Sequence, residues 1–194
     1  MMLDKGANPG RHALKARKDD LYETPDVAVH ALLRAGEVPA VVWEPACGPG
    51  AIVRVLRSKG RHVVAQDLVD YGCPGAASRI DFLMEQSAPP GCECIITNPP
   101  FKLAAQFVER GLMLVPKVVV LLRLAFLEGT GRSNILDSGH LARVHVFRER
   151  LPMMHRGGWQ GNESGNSIAF AWMVWDRAHV GPATLHRISW KTEL

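Results

Sequence analysis

Apolar and polar positions alternate along this chain in short blocks that switch between a helical and a strand period. After a polar, basic stretch over residues 1–20, Thr24-Pro25-Asp26 reads as a helix start. Threonine can accept from free amides there, and a proline at the first helical position loses no useful donor. Val29, Leu32 and Leu33 supply that helix's buried stripe. The run Ala40-Val41-Val42-Trp43-Glu44 then enters Pro-Ala-Cys-Gly-Pro-Gly, a buried strand leaving its sheet through a tight glycine turn. Ile52, Val55 and Leu56 return at helical spacing until Gly60 ends the helix.

A second short strand, His62 to Ala65, ends at Gln66-Asp67, and a third, Cys94-Ile95-Ile96, ends at Thr97-Asn98-Pro99-Pro100. The helix that follows puts Phe101, Ala104, Ala105, Val108, Gly111 and Leu112 on one face. Lys117 to Phe126 reads as a long central strand covered on both sides. In the last third, Val144-His145-Val146-Phe147 and Ser167 to Trp175 read as two strands joined by a polar, Gly-rich connection, an antiparallel hairpin. Strands alternating with helices predict an α/β fold: a doubly wound, mostly parallel sheet with that hairpin at its C-terminal end. Its ligand site is expected beyond the carboxyl ends of the strands. A length of 194 residues suits one catalytic domain over 21–194 behind a flexible basic leader over 1–20.

Composition narrows the class. With 47% hydrophobic and 22% charged residues the chain matches soluble globular proteins, and no apolar run approaches the roughly 18 residues of a membrane span. The opening MMLDKGANPG has no signal-peptide core, so a cytoplasmic protein is expected. Cys47, Cys73, Cys92 and Cys94 form no disulfide framework and are expected as reduced, buried thiols. The eight histidines show no paired ligand spacing, so no metal is expected. A net charge of +4 suits a polyanionic partner without requiring one.

Two turns carry the chemistry. In Glu44-Pro45-Ala46-Cys47-Gly48-Pro49-Gly50, glycines at a strand exit let the backbone approach a bound molecule. A dinucleotide fingerprint would need glycine at position 53, where Val53 stands. Asp67 sits where such folds offer a carboxylate to ribose, though alone it is a common surface acid. In Asn98-Pro99-Pro100-Phe101 the two prolines fix φ and remove two donors, leaving rigid carbonyls as acceptors. Asn98 adds a side-chain carbonyl, so an amino group can be held by Asn98 and the Pro99 backbone. Such a grip keeps the nitrogen lone pair from delocalising and stabilises the charge that develops as nitrogen attacks carbon. Phe101 could stack on a flat base, but its place on the helical stripe fits core packing better.

Tyr22-Glu23-Thr24-Pro25, Glu44 to Gly50, Asp67, Asp81-Phe82 and Asn98-Pro99-Pro100-Phe101 together resemble the ordered motifs of class I amino-methyltransferases of the DNA adenine-N6 group. The match runs over roughly residues 20 to 130. The resemblance implies a Rossmann-like sheet of the seven-stranded type and S-adenosylmethionine as cofactor. It implies that Tyr22, Thr24 and Pro25 border the methionine end, and that Gly48 and Gly50 form a cradle with Glu44, Ala46 and Cys47 of the same loop. Asp67 would hold the ribose, while Asp81 and Phe82 would meet the adenine. Asn98, Pro99, Pro100 and Phe101 would form the catalytic turn beside that cofactor.

The implied reaction is in-line methyl transfer to nitrogen, with DNA as partner. Adenine in RNA, cytosine N4, a protein glutamine, or a binding module without activity are the alternatives. Larger members carry a target-recognition domain for which this chain has no room, and small phage-encoded enzymes are similarly reduced. Base choice would then fall to residues 127–140 and to the segment from Arg148 to Asn166. In that segment Arg148, Arg150, His155, Arg156 and Trp159 combine charge with an aromatic face for nucleic acid, or else form a solvated loop packed on the sheet edge.

Overall fold

The computed structural model describes residues 22–153 and 168–191. The basic leader and three proposed nucleic-acid contacts, His155, Arg156 and Trp159, lie outside the described residues.

Eight strands form one sheet among the described residues: β1 (Val41–Glu44), β2 (His62–Asp67), β3 (Ala77–Ser78), β4 (Cys94–Thr97), β5 (Lys117–Arg123), β6 (Leu141–Phe147), β7 (Phe170–Asp176) and β8 (Thr184–Ile188). Their spatial order is β3-β2-β1-β4-β5-β7-β6-β8. From β3 to β5 all pairs are parallel, whereas β7 runs antiparallel to both β5 and β6. The edge strand β8 is parallel to β6. The carboxyl ends of β1, β2, β4, β5, β6 and β8 therefore share one edge, which carries Glu44, Asp67, Thr97 and Arg123.

Both faces are covered, as the β-branched run of β5 requires. Val119 and Leu121 of β5, with Trp172 and Val174 of β7, pack under α1 (Asp26–Arg34) and α2 (Ala51–Ser58). Val118, Val120, Leu122, Met173 and Trp175 point the other way, toward α3 (Ala104–Leu114) and the short α4 (Ser133–Leu136). The alternation is the two-residue period of a strand with both faces buried. The buried indoles are satisfied: Trp172 Nε1 donates to Ala28 O and Trp175 Nε1 to Ile135 O, each at 2.9 Å. Where α3 crosses β5, Gly111 permits contact, because a Cβ there would stand 2.8 Å from Val118 Cγ2.

The structure corrects several expectations. Helix α1 starts at Asp26 with Pro25 in the cap position, and Thr24 does not cap it. Strand β5 stops at Arg123 and the chain turns into a 3₁₀ segment over Leu124–Leu127. The apolar run continues past the strand because Leu124, Phe126 and Leu127 pack against the same core. Phe101 lies in a 3₁₀ turn, Phe101–Leu103, ahead of α3, and Phe107 takes a buried place on the stripe instead. Strands β3 and β8 were not anticipated.

At the amino-terminal end of β5, buried Glu37 accepts from Lys117 Nζ at 2.7 Å, from His145 Nε2 at 2.9 Å and from Arg143. Burial alone would raise this carboxyl's pKa, but the bonds from His145, Arg143 and Lys117 overcome it and hold the group well below the usual carboxylate range. No helix among the described residues is long and apolar enough to cross a membrane.

Candidate active site

At the shared carboxyl edge a cleft is lined by Tyr22, Ala46, Asp67, Asp81, Phe82 and Asn98, with Tyr71, Leu103 and Phe107 among the other walls. Both of the chain's tyrosines, Tyr22 and Tyr71, are found here. A ring with one apolar body and one polar tip suits a half-open pocket. Thus segments far apart in sequence converge, because each follows or precedes a strand end on the same edge.

The glycine loop after β1 is built for close approach. Gly48 (φ 52°) and Gly50 (φ 93°) both occupy the left-handed region. A Cβ on Gly50 would stand 2.7 Å from Cys73 Sγ, so any side chain there would displace the thiol. Asp67 fixes this loop: its Oδ2 accepts from Gly48 N at 2.8 Å and its Oδ1 from Val69 N at 2.9 Å. Each carboxylate oxygen keeps a further lone pair, so a bound hydroxyl can still be accepted. Asp81 Oδ1 accepts from Leu83 N at 3.0 Å, which sets the turn carrying Phe82. Phe82 itself is 2% exposed, wedged between Trp43 and Phe107 at centroid distances of 5.2 and 4.8 Å. It is a wall of the cleft rather than an open stacking face.

All four cysteines are buried and unbridged. Burial raises the Cys47 thiol, Glu44 reinforces the shift, and Cys94 is pushed up to about 12. Neither supplies a thiolate near neutral pH. Among the described residues no group of three or more His, Cys, Asp or Glu side chains could hold a metal.

The Asn-Pro-Pro-Phe turn follows β4 directly. Asn98 Nδ2 donates to Tyr22 O at 3.0 Å and to Thr24 Oγ1 at 3.1 Å. The threonine expected to cap α1 instead orients Asn98. Both amide hydrogens are thereby committed, while Asn98 Oδ1 is buried without a partner. A buried acceptor left unpaired costs about 1–3 kcal/mol, so the site carries an unmet demand for a donor. The sequence expectation that the turn's carbonyls stay available fails at Pro100, whose oxygen accepts from Leu103 N at 2.9 Å to close the 3₁₀ turn. Phe101 is flanked by Tyr22, with ring centroids 5.4 Å apart, and by the Arg123 guanidinium, 4.4 Å from its centroid. No sequence signal singled out Arg123, which reaches the site only because β5 lies beside β4.

Glu44, at the end of β1, is fully buried. Its Oε1 accepts from Thr97 Oγ1 at 2.7 Å and from Ala46 N at 3.2 Å, while Oε2 has no partner. Burial raises its pKa to about 8, Asp67 adds to the rise, and the Thr97 and Ala46 bonds only partly oppose it. The folded protein thus holds a proton that the unfolded chain releases near pH 4.5. This contribution to stability is complete below that pH and is lost as pH rises through about 8. Glu44→Gln, which cannot ionise, is expected to melt at a higher temperature than the native chain at pH 8.5 and close to it at pH 5. Equal melting shifts at both pH values in a calorimetric scan would contradict a buried neutral acid.

No protein-family model matches the sequence, and no curated protein matches it. Solved structures do match. An assigned RNA methyltransferase from Pyrococcus horikoshii superposes with a TM-score of 0.62 at 14% identity, covering 88% of this chain and 92% of that one. A modification subunit assigned to a type I restriction enzyme of Vibrio vulnificus gives a TM-score of 0.59 at 14% identity, covering 89% of this chain and 48% of that one. The chain thus spans about half the length of that subunit. Magnesium protoporphyrin IX methyltransferase from Synechocystis, solved with S-adenosylmethionine bound, gives 0.52 at 14% identity over 79% of this chain and 77% of that one. At these identities the likeness establishes the fold, the Rossmann-like class I methyltransferase sheet with its antiparallel β7; the sequence pattern predicted a doubly wound, mostly parallel sheet, and the resemblance its methyltransferase type.

Proposed function

We propose that this protein is an S-adenosylmethionine-dependent methyltransferase that methylates an exocyclic amino nitrogen, adenine N6 in DNA. The observation that carries the reading is Asn98, whose amide hydrogens are anchored and whose buried carbonyl oxygen lacks a donor. An amino group supplies that donor. The fold and the left-handed glycine loop support the cofactor, as does the unpaired Glu44 Oε2 beside the loop. Tyr22, Thr24 and Pro25 would border its methionine end, and Gly48, Gly50 and Asp67 would hold its middle. Asp81 and Phe82 would meet its adenine.

When bound, S-adenosylmethionine supplies an electrophilic methyl group on a sulfonium. The chain's own part is orientation and electrostatics. Asn98 Oδ1 accepts from the amine and holds its lone pair out of conjugation. It then stabilises the positive charge that grows on nitrogen, an interaction stronger in the transition state than in the ground state. The two prolines keep the turn from relaxing. A base stacking on the face of Phe101 would take the place of the Arg123 guanidinium. In a duplex the target base must first leave the stack.

Adenine in RNA is the second reading, favoured by the Pyrococcus structure, which superposes over 92% of its length. Transfer of tritiated methyl from S-adenosylmethionine, run in parallel on DNA, RNA and protein, decides between them. Label is expected in DNA. Label confined to RNA or protein would overturn the choice of acceptor, and no label with no cofactor binding would overturn the enzyme.

A further inference from the structure

Arg123 ends β5, next to the strand that delivers Asn98. The register pairs Thr97 with Val120, so Asn98 and Arg123 leave neighbouring strands at the same carboxyl edge. The guanidinium lies over the Phe101 ring, 4.4 Å from its centroid, and among the described residues no carboxylate pairs with it. Its Nε is buried without a hydrogen-bond partner. Buried donors are almost always bonded, so this one, like Asn98 Oδ1, asks for a ligand. Neither Phe101 nor Arg123 is a wall of the cleft, yet they adjoin it, because Tyr22 lines the cleft and its ring lies 5.4 Å from that of Phe101.

We propose that Arg123 is the phosphate-binding residue for the methylated nucleotide. Its guanidinium covers Phe101 before substrate arrives, and moves to a phosphate flanking the target base when that base takes its place on the ring. The inference rests on the reading of the chain as a DNA methyltransferase, and it selects a nucleotide over a protein glutamine, which brings no phosphate.

A ring nitrogen of the base and a phosphate could each accept from the displaced guanidinium. A cation donating to the ring nitrogen beside the amine would draw electrons from the atom that must attack the methyl carbon, against the action of Asn98 Oδ1. A phosphate oxygen carries a full charge and matches the planar fork of the guanidinium. The exchange is favourable in that direction, since a cation over a ring is held weakly where water reaches it and a charge-assisted bond to phosphate is stronger. Base and phosphate of one nucleotide are separated by a single sugar, within the sweep of an arginine stem rooted at a strand end. Phe101 therefore stays covered until one ligand supplies both a flat ring to stack and an anion to receive the arginine. Arg123 carries no motif, and only the pairing of β4 with β5 brings it to the turn.

The test uses a short DNA duplex containing one adenine that the native chain labels, and the same duplex with an uncharged methylphosphonate at the linkage on either side of that adenine. An RNA of equal length and free deoxyadenosine complete the set. The native chain is compared with Arg123→Gln and Arg123→Lys. Melting temperatures verify folding, and the methylphosphonate arm needs no variant. One of the two methylphosphonates is expected to raise the native KM about tenfold, while Arg123→Gln has that raised KM on ordinary DNA and is indifferent to the same replacement. The slope of log binding against log salt should fall by about one in Arg123→Gln and be kept in Arg123→Lys. On deoxyadenosine, which has no phosphate, Arg123→Gln should exceed the native kcat/KM, because no guanidinium has to leave Phe101. If the native chain methylates DNA but neither methylphosphonate nor Arg123→Gln alters KM or the salt slope, Arg123 holds no phosphate while the enzyme stands. A loss in Arg123→Gln as large on deoxyadenosine as on DNA would put Arg123 on the base and overturn the phosphate contact. An effect confined to the RNA would overturn the DNA assignment. If the native chain labels no nucleic acid, the proposed function falls, and this contact with it.

Discussion

Asn98→Ala is expected to lower kcat for methyl transfer by about a hundredfold to a thousandfold, the usual cost of removing one preorganised group from a transition state. Alanine removes the oxygen proposed to accept from the amine. It also releases Tyr22 O and Thr24 Oγ1, which Asn98 Nδ2 holds at 3.0 and 3.1 Å. Thr24→Ala separates the two effects, because it loosens the anchor but keeps the acceptor. A loss of about tenfold is expected there. Asn98→Asp keeps an oxygen but turns a second one toward Tyr22 O, replacing a bond with repulsion. It should be as slow as the alanine variant. Cofactor affinity, read calorimetrically with the unreactive analogue sinefungin, should fall far less than kcat in Asn98→Ala. Retention of kcat within tenfold by Asn98→Ala would remove the basis of the mechanism.

The parallel half of the sheet was legible in the sequence because β1, β4 and β5 are buried on both faces and read as unbroken apolar runs. The glycine loop and the Asn-Pro-Pro turn were legible because glycine and proline carry backbone constraints in their identity. Strand β8 was not, since four of its five residues, Thr184 to Arg187, are exposed and show no period of two. Strand β3 is two residues long and exposed, below any pattern. The end of β5 was misplaced because burial persists into the following 3₁₀ turn, and hydrophobicity reports burial rather than conformation. Of the residues that line the cleft, Ala46, Asn98 and Pro100 were read from rigid turns, and Tyr22, Asp67, Asp81 and Phe82 from the family resemblance. Tyr71, Leu103, Phe107 and Arg123 were missed, being ordinary residues that matter only through what folds beside them. The reading of Thr24 as a cap failed for the same reason, since a threonine before proline has local uses and the long-range bond from Asn98 takes its hydroxyl.

Glu37→Ala is expected to destabilise the fold by about 3 kcal/mol without touching the carboxyl edge of the sheet. Removing one member of a buried ionic group leaves the others uncompensated, and such changes cost about 3–5 kcal/mol. The lower end applies because Lys117 and Arg143 retain 21% and 28% side-chain exposure, so water screens them in part. His145, 5% exposed, is the member that cannot turn to solvent. For a chain of this length the loss corresponds to a fall in Tm of roughly 6–12 °C. The pH dependence has a definite sign. The folded carboxyl sits well below its unfolded value near 4.5, so its stabilisation is present above that pH and is lost as pH falls beneath it. The difference in stability between Glu37→Ala and the native chain, measured by denaturant titration, should therefore be full at pH 7 and shrink below about pH 4. Glu37→Gln keeps an acceptor for His145 but not the charge, and should fall between the two. A difference that stayed constant from pH 7 to pH 3 would mean that Glu37 contributes by packing alone, with its charge unimportant to its three partners.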